Sequence, residues 1–185
     1  MLSTDIQEII AGCKRRRPAS QKELVRRFAG SLLSVATRYA KVKSEAEDIL
    51  QDSFVLIFKK MDQFDPEKGT LNAWMRRIVI HTALAQQRKF RYTHEIPMDT
   101  LPDPPDMSLD VYAKMQYDDL MQRIDALPDG LREVFNLAVF DDFSHDEISV
   151  ALGIPAGTSR SWLSRARKLL QQQILNLQSH ELAGI

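Results

Sequence analysis

Between positions 148 and 180 the chain carries four cations, Arg160, Arg165, Arg167 and Lys168, and no acid. Such a stretch can hold phosphate oxygens, and arginine can also grip a guanine edge with two donors at once. The residues just before it supply a corner. Ser144 and Glu147 stand at capping-box spacing for a helix over 145–152, and Gly153 can take the left-handed backbone that ends it. Pro155 suits the first turn of a following helix, where its missing N–H costs nothing. With Ile148, Leu152, Ile154 and Leu163 meeting inside, this is the spacing of a helix-turn-helix. If Leu163, Ala166 and Leu170 turn inward, Arg160, Ser161, Ser164, Arg165 and Lys168 project outward, as entry into a major groove requires. Trp162 suits either the core or the DNA side, against sugar or a thymine methyl.

Two further constellations lie in the first half. The loop Phe64-Asp65-Pro66-Glu67-Lys68-Gly69 leads into a helix holding Asn72, Trp74, Arg76, Arg77, His81, Gln86, Gln87, Arg88, Lys89 and Arg91. Basic residues interleaved with an aromatic and amides can track a phosphate backbone and stack splayed bases. A core tryptophan beside solvated arginines would have the same composition. In the helix expected over residues 44–61, Glu45, Asp48, Gln51 and Asp52 share one side at i, i+3, i+4 spacing, opposite the apolar stripe. Set in a basic segment, that acidic face reads either as a solvated surface or as a docking patch for a protein partner. The His145-Asp146 pair raises the possibility of metal-dependent phosphohydrolysis. The capping box accounts for it better, and only His81, His94 and His180 remain as further histidine ligands. No metal, no other cofactor and no catalytic residue is expected.

The elements that must position these groups read as helices throughout. Leu24, Phe28, Leu32, Val35, Ala36 and Tyr39 form one apolar stripe. Ala46, Ile49, Leu50, Ser53, Phe54, Ile57, Phe58 and Met61 form a second, and Leu71, Trp74, Met75, Ile78 and Ala85 a third. Ser20/Glu23 and Ser44/Glu47 repeat the capping-box spacing. The expected fold is all-α, with two small helical domains. Four prolines between Ile96 and Asp106 break the pattern and imply an extended acidic linker. The boundaries fall at 1–92 for the first domain, 93–115 for the linker and 116–185 for the helix-turn-helix domain.

At 185 residues, 44% apolar and 27% charged, the chain can bury such cores and is not disordered by composition. The single cysteine, Cys13, excludes a disulfide framework. No apolar run nears the roughly 20 residues that span a bilayer, and the start lacks signal-peptide character; a cytoplasmic protein is expected. The net charge of zero is unevenly spread. Residues 1–92 hold 18 Lys/Arg against 10 Asp/Glu, residues 93–125 hold 2 against 8, and residues 126–185 hold 5 against 7. Two basic surfaces flanking an acidic stretch suggest two contacts with one polyanion. The run Lys14-Arg15-Arg16-Arg17 reads as a solvated helix start, with DNA contact as the alternative.

In order, these segments resemble bacterial RNA polymerase sigma factors of the sigma-70 family, in particular the small extracytoplasmic-function (ECF) class. The resemblance is carried by Glu45-Ala46-Glu47-Asp48-Ile49-Leu50-Gln51-Asp52-Ser53-Phe54, by residues 64–69 through Trp74-Met75-Arg76-Arg77-Ile78, and by Leu127-Pro128 with Leu131-Arg132-Glu133-Val134-Phe135 running into 144–167. It implies that Asp48, Gln51 and Asp52 dock on the clamp helices of the polymerase largest subunit. It further implies that Gly69, Asn72, Trp74, Arg76, Arg77, His81 and Arg88 open and read the −10 promoter element. Arg160, Ser161, Trp162, Ser164, Arg165 and Lys168 would read the −35 element, and an anti-sigma factor would restrain the free protein by clamping its two domains. Family members usually carry a β-branched residue where Ser159 stands, and often a basic or amide residue where Trp162 stands. A stand-alone helix-turn-helix regulator is the alternative; it would explain the second domain and leave the acidic face and the Trp/Arg helix without a purpose. An all-helical hydrolase would need more ligands than the chain offers.

Overall fold

The computed structural model describes residues 4–91 and 117–183, with side chains over 5–87 and 119–175. All regular structure among them is helical. The described residues form two compact units, one within residues 1–96 and the other within 97–185. The acidic, proline-rich linker expected over 93–115 lies outside the described residues.

The first unit packs α1 (Thr4–Lys14), α2 (Pro18–Tyr39), α3 (Lys43–Lys60) and α4 (Leu71–Arg91), with a short 3-10 turn at Met61–Gln63. Helices α2, α3 and α4 all touch one another, and α1 lies on α2 and on the 3-10 turn. The first two apolar stripes face the core as expected: Leu24, Leu32, Ala36, Ile49, Ile57 and Met61 are fully buried. Each such leucine or isoleucine contributes on the order of 1.5–3 kcal/mol of burial. The third stripe is shifted. Leu71, Met75, Val79, Ile80, Ala83 and Leu84 are buried, whereas Ile78 is half-buried and Ala85 exposed. The i, i+4 row 71–75–79–83 faces the core, and 78 and 85 fall on the neighbouring row.

Two expected caps are also replaced. Helix α2 starts at Pro18, with Arg17 as an N-cap that makes no side-chain bond. Ser20 therefore lies within the first turn, and Glu23 bonds Arg26 and Arg27 instead. Helix α3 starts after Val42, again without a side-chain cap, and Glu45 accepts the Lys41 backbone N–H at 2.6 Å. Proline at the first position and a carboxylate reaching back do the work that a serine hydroxyl would do. Cys13 is buried, and burial raises its thiol pKa, which leaves it in the unreactive protonated form.

The second unit comprises α5 (Tyr117–Asp125), α6 (Asp129–Phe135) continuing as a π-turn (Asn136–Phe140), α7 (His145–Leu152) and α8 (Ala156–Ala183). Its core is built from Ile124, Leu127, Val134, Leu137, Ile148, Ala166 and Leu170. Helix α8 is the spine, touched by α5, α6 and α7. Among the described residues no helix is long and apolar enough to cross a membrane.

Candidate nucleic-acid interface

The helix-turn-helix forms as its sequence dictates. Ser144 Oγ accepts the Glu147 N–H, and the Glu147 carboxylate accepts the Ser144 N–H, so both halves of the capping box are present. Gly153 closes α7 at φ 70°, a conformation costly for any residue with a Cβ. Pro155 is the residue before α8, where its carbonyl accepts the Ser159 N–H at 3.0 Å. Ile148 and Leu163 are buried in the corner, while Leu152 and Ile154 are half-buried.

On α8, Leu163, Ala166 and Leu170 face inward. Arg160, Ser161 and Ser164 are exposed, and Arg165 and Lys168 are half-buried. The Ser161 hydroxyl donates to the Thr158 carbonyl at 2.9 Å, so it stabilises the first turn of α8 from the outer face. Trp162 turns toward α6. A Cβ built on Gly130 would lie 2.6 Å from its Cζ3 and 3.0 Å from its Cη2. The indole therefore covers the start of α6, where only glycine leaves it room. Of the two settings that the sequence leaves open for Trp162, its packing is that of a half-buried internal contact.

Ser159 is fully buried, and its Oγ lies 2.9 Å from His145 Nδ1. This bond joins the first turn of α7 to the first turn of α8. A buried polar side chain at this position thus has its partner supplied, as burial requires. Spacing does not single out His145 and Ser159 as a pair, because residues 14 apart are brought together only by the Gly153 corner.

In the first unit, the 64–70 loop is a set of local bonds. Asp65 Oδ1 accepts the Glu67 N–H at 3.0 Å, and its carbonyl accepts the Lys68 N–H at 3.2 Å. Gly69 follows at φ 147°, open to solvent. Thr70 Oγ1 then accepts the Ala73 N–H at 3.2 Å and caps α4. Trp74 is half-buried, with its ring 5.5 Å from that of buried Phe64. Asn72 is half-buried with Oδ1 unbonded; Arg76 is half-buried, and Arg77 and His81 are exposed. Arg88 belongs to α4 by its backbone, and its side chain lies outside those described. Gln87 Nε2 donates to the Tyr39 carbonyl at the end of α2.

On α3, Asp48, Gln51 and Asp52 are all exposed. Asp52 is tied across to α4, where Gln86 Nε2 donates to its Oδ2 at 3.0 Å. Beside that bond the two helices flank a groove of about 430 Å³, with Val55, Leu56, Ile78 and Ala85 on its walls and Asp52, Lys60, His81 and Gln86 at its rim. The exposed Val55 extends the 48–51–52 row by another turn. Charge makes that row legible in the sequence, and its apolar member carries no such signal. Among the described residues no group of His, Cys, Asp and Glu could hold a metal ion.

The second unit is thus a helix-turn-helix with a cationic outer face on α8, and the first is a helical unit with an acidic face on α3. Comparison with known proteins bears on both units. Residues 24–91 match the model of sigma-70 region 2, and residues 117–170 match the model of sigma-70 region 4. The RNA polymerase sigma-E factor of Streptomyces avermitilis is 31% identical over 154 residues, covering 83% of this chain and 84% of that protein. The ECF RNA polymerase sigma factor SigE of Mycolicibacterium smegmatis is 29% identical over 163 residues, covering 84% of this chain; the chain spans 62% of that relative's length. The sigma factor RpoE of Bartonella quintana, solved in complex with the anti-sigma factor NepR, shares the fold with a TM-score of 0.54 at 24% identity, covering 84% of this chain and 96% of that one. The chain belongs to the sigma-70 family of RNA polymerase sigma factors, in the ECF class.

Proposed function

We propose that this chain recruits core RNA polymerase through α3, reads the −35 element of a promoter with α8, and captures opened −10 bases with the 64–91 loop and helix. The observation that carries this reading is the pairing of two unlike surfaces on one chain. The acidic Asp48/Gln51/Asp52 face serves a protein partner, and the acid-free face of Arg160, Ser161, Ser164, Arg165 and Lys168 serves DNA. Trp162 contributes by seating α8 on Gly130, which aims Arg160 and Arg165 outward. In the first unit, Trp74 offers an aromatic surface, Gly69 lets the loop approach closely, and Asn72, Arg76, Arg77, His81 and Arg88 follow the strand.

Strand opening on this reading uses binding energy alone. Unstacking costs a few kcal/mol per step, and stacking a freed base on an aromatic returns about 1–3 kcal/mol. No catalytic step, nucleotide hydrolysis or metal takes part. An anti-sigma factor is the expected regulator, because a free factor of this kind competes for polymerase.

The test reverses charge at Asp48→Lys and Asp52→Lys. The variant should keep its helical content and lose assembly with core polymerase in size-exclusion or pull-down experiments. Intact assembly would refute the docking face. A chain that binds promoter DNA but never associates with polymerase would instead be a stand-alone regulator.

A further inference from the structure

The four cations Lys14, Arg15, Arg16 and Arg17 form the corner between α1 and α2, and nothing in the fold consumes them. All four are exposed, and none makes a side-chain hydrogen bond or ion pair among the described residues. The contrast with the adjoining helix is informative. Arg26 pairs with Glu23, and Arg27 pairs with both Glu23 and Asp5. The same helix pair therefore supplies carboxylates to Arg26 and Arg27 and none to these four cations.

Local electrostatics does not account for them either. Lys14 suits the negative end of α1, but Arg16 and Arg17 stand at the positive end of α2, whose first turn holds no acid. The corner is nevertheless held firmly. Arg16 takes a left-handed turn at φ 55°, with its N–H donated to the Cys13 carbonyl at 2.9 Å, and the Arg17 N–H is donated to the Gly12 carbonyl at 2.9 Å. A Cβ on Gly12 would collide with Ser20 Oγ at 1.9 Å, so α1 and α2 approach closely here because residue 12 is glycine. A corner with a bonded backbone presents these cations without the backbone-ordering cost of a flexible tail. Helix α1 also packs on the Met61–Gln63 turn, which opens the loop leading to Gly69 and Trp74.

We infer that the Lys14–Arg17 corner is a DNA phosphate-backbone clamp that extends the proposed −10 surface. This rests on the reading that the first unit contacts promoter DNA. Because phosphates carry no sequence information, the clamp adds affinity without base preference. Its signature is the salt dependence of binding, where each phosphate engaged steepens the slope of log K against log salt by about 0.9 on duplex DNA.

The experiment titrates the full chain, bound to core polymerase, against a labelled random-sequence duplex over a salt series. The triple variant Lys14→Gln/Arg15→Gln/Arg17→Gln leaves Arg16 in its turn; circular dichroism checks its folding. The slope should become shallower by roughly 2–3, in proportion to the phosphates no longer neutralised. The companion Lys14→Arg/Arg15→Lys/Arg17→Lys variant should retain the wild-type slope. An unchanged slope in the folded triple variant overturns the clamp, as does a defect in polymerase assembly measured without DNA, since the occupant would then be protein. An Arg76→Ala/Arg77→Ala variant, which removes two proposed first-unit DNA contacts, separates the two readings in the same series. If it loses slope and the corner variant does not, only the clamp falls; if neither does, the proposed DNA-binding reading falls with it.

Discussion

Replacing Gly130 with alanine tests how α8 is seated. The new Cβ would stand 2.6, 3.0 and 3.3 Å from three carbons of the Trp162 six-membered ring. Carbon atoms pack at about 3.5–4.0 Å, so the ring must retreat by roughly 1 Å. Overpacking of this kind costs about 1–3 kcal/mol. Alanine in a helix returns about 0.5–1 kcal/mol over glycine, and less in a first turn. The net expectation is a loss of about 0.5–2 kcal/mol. In a Trp162→Leu background the obstacle is gone, and the same change should be neutral or stabilising. The double-mutant cycle should therefore give a coupling of about 1–2 kcal/mol in the direction of rescue. Denaturant unfolding followed by circular dichroism reads all four variants of the cycle, including the Trp162→Leu arms that lack that indole. If Gly130→Ala has the same effect in both backgrounds, the indole is not seated on α6.

Arg160→Ala/Arg165→Ala should weaken binding to a −35 duplex by about tenfold or more and make its salt slope shallower by about 1–2, measured by fluorescence anisotropy. Ser159→Val removes the partner of His145 and should cost about 1 kcal/mol in the unfolding of the second unit; Ser159→Thr, which keeps a hydroxyl, should cost less. Glu23 is held at a pKa of about 2 by its bonds to Arg26 and then Arg27, against an ordinary value of 4.5. A depressed pKa gives stability that is present above 4.5 and lost as pH falls toward 2. Wild type should thus lose its advantage over Glu23→Gln across that window, as followed by circular dichroism, and an advantage independent of pH would refute the pairing.

The most legible parts of the sequence were those in which local signals agreed. The α7 bounds, the Ser144–Glu147 box, the Gly153 turn and the inward row Leu163–Ala166–Leu170 all follow from residues close in the chain. Helix starts failed where a different local bond won: Pro18 and Glu45 displaced Ser20 and Ser44. The α4 stripe slipped because residues 78–85 are apolar on more than one side, so spacing alone did not select the row that α2 and α3 cover. Bonds between distant residues were not legible at all. Gln86 and Gln87 looked like ligands for nucleic acid because amides serve that role equally well. Within the fold their amides meet Asp52 and the Tyr39 carbonyl, 34 and 48 positions away.

The Gln86–Asp52 bond has a bearing on engineering. A hybrid factor made by grafting the α3 segment of one protein into another would separate the carboxylate from its amide and leave the graft to settle in a new register. On the proposed reading the natural unit of exchange is the helix pair, because this bond ties the polymerase-docking face to the helix that captures the opened strand.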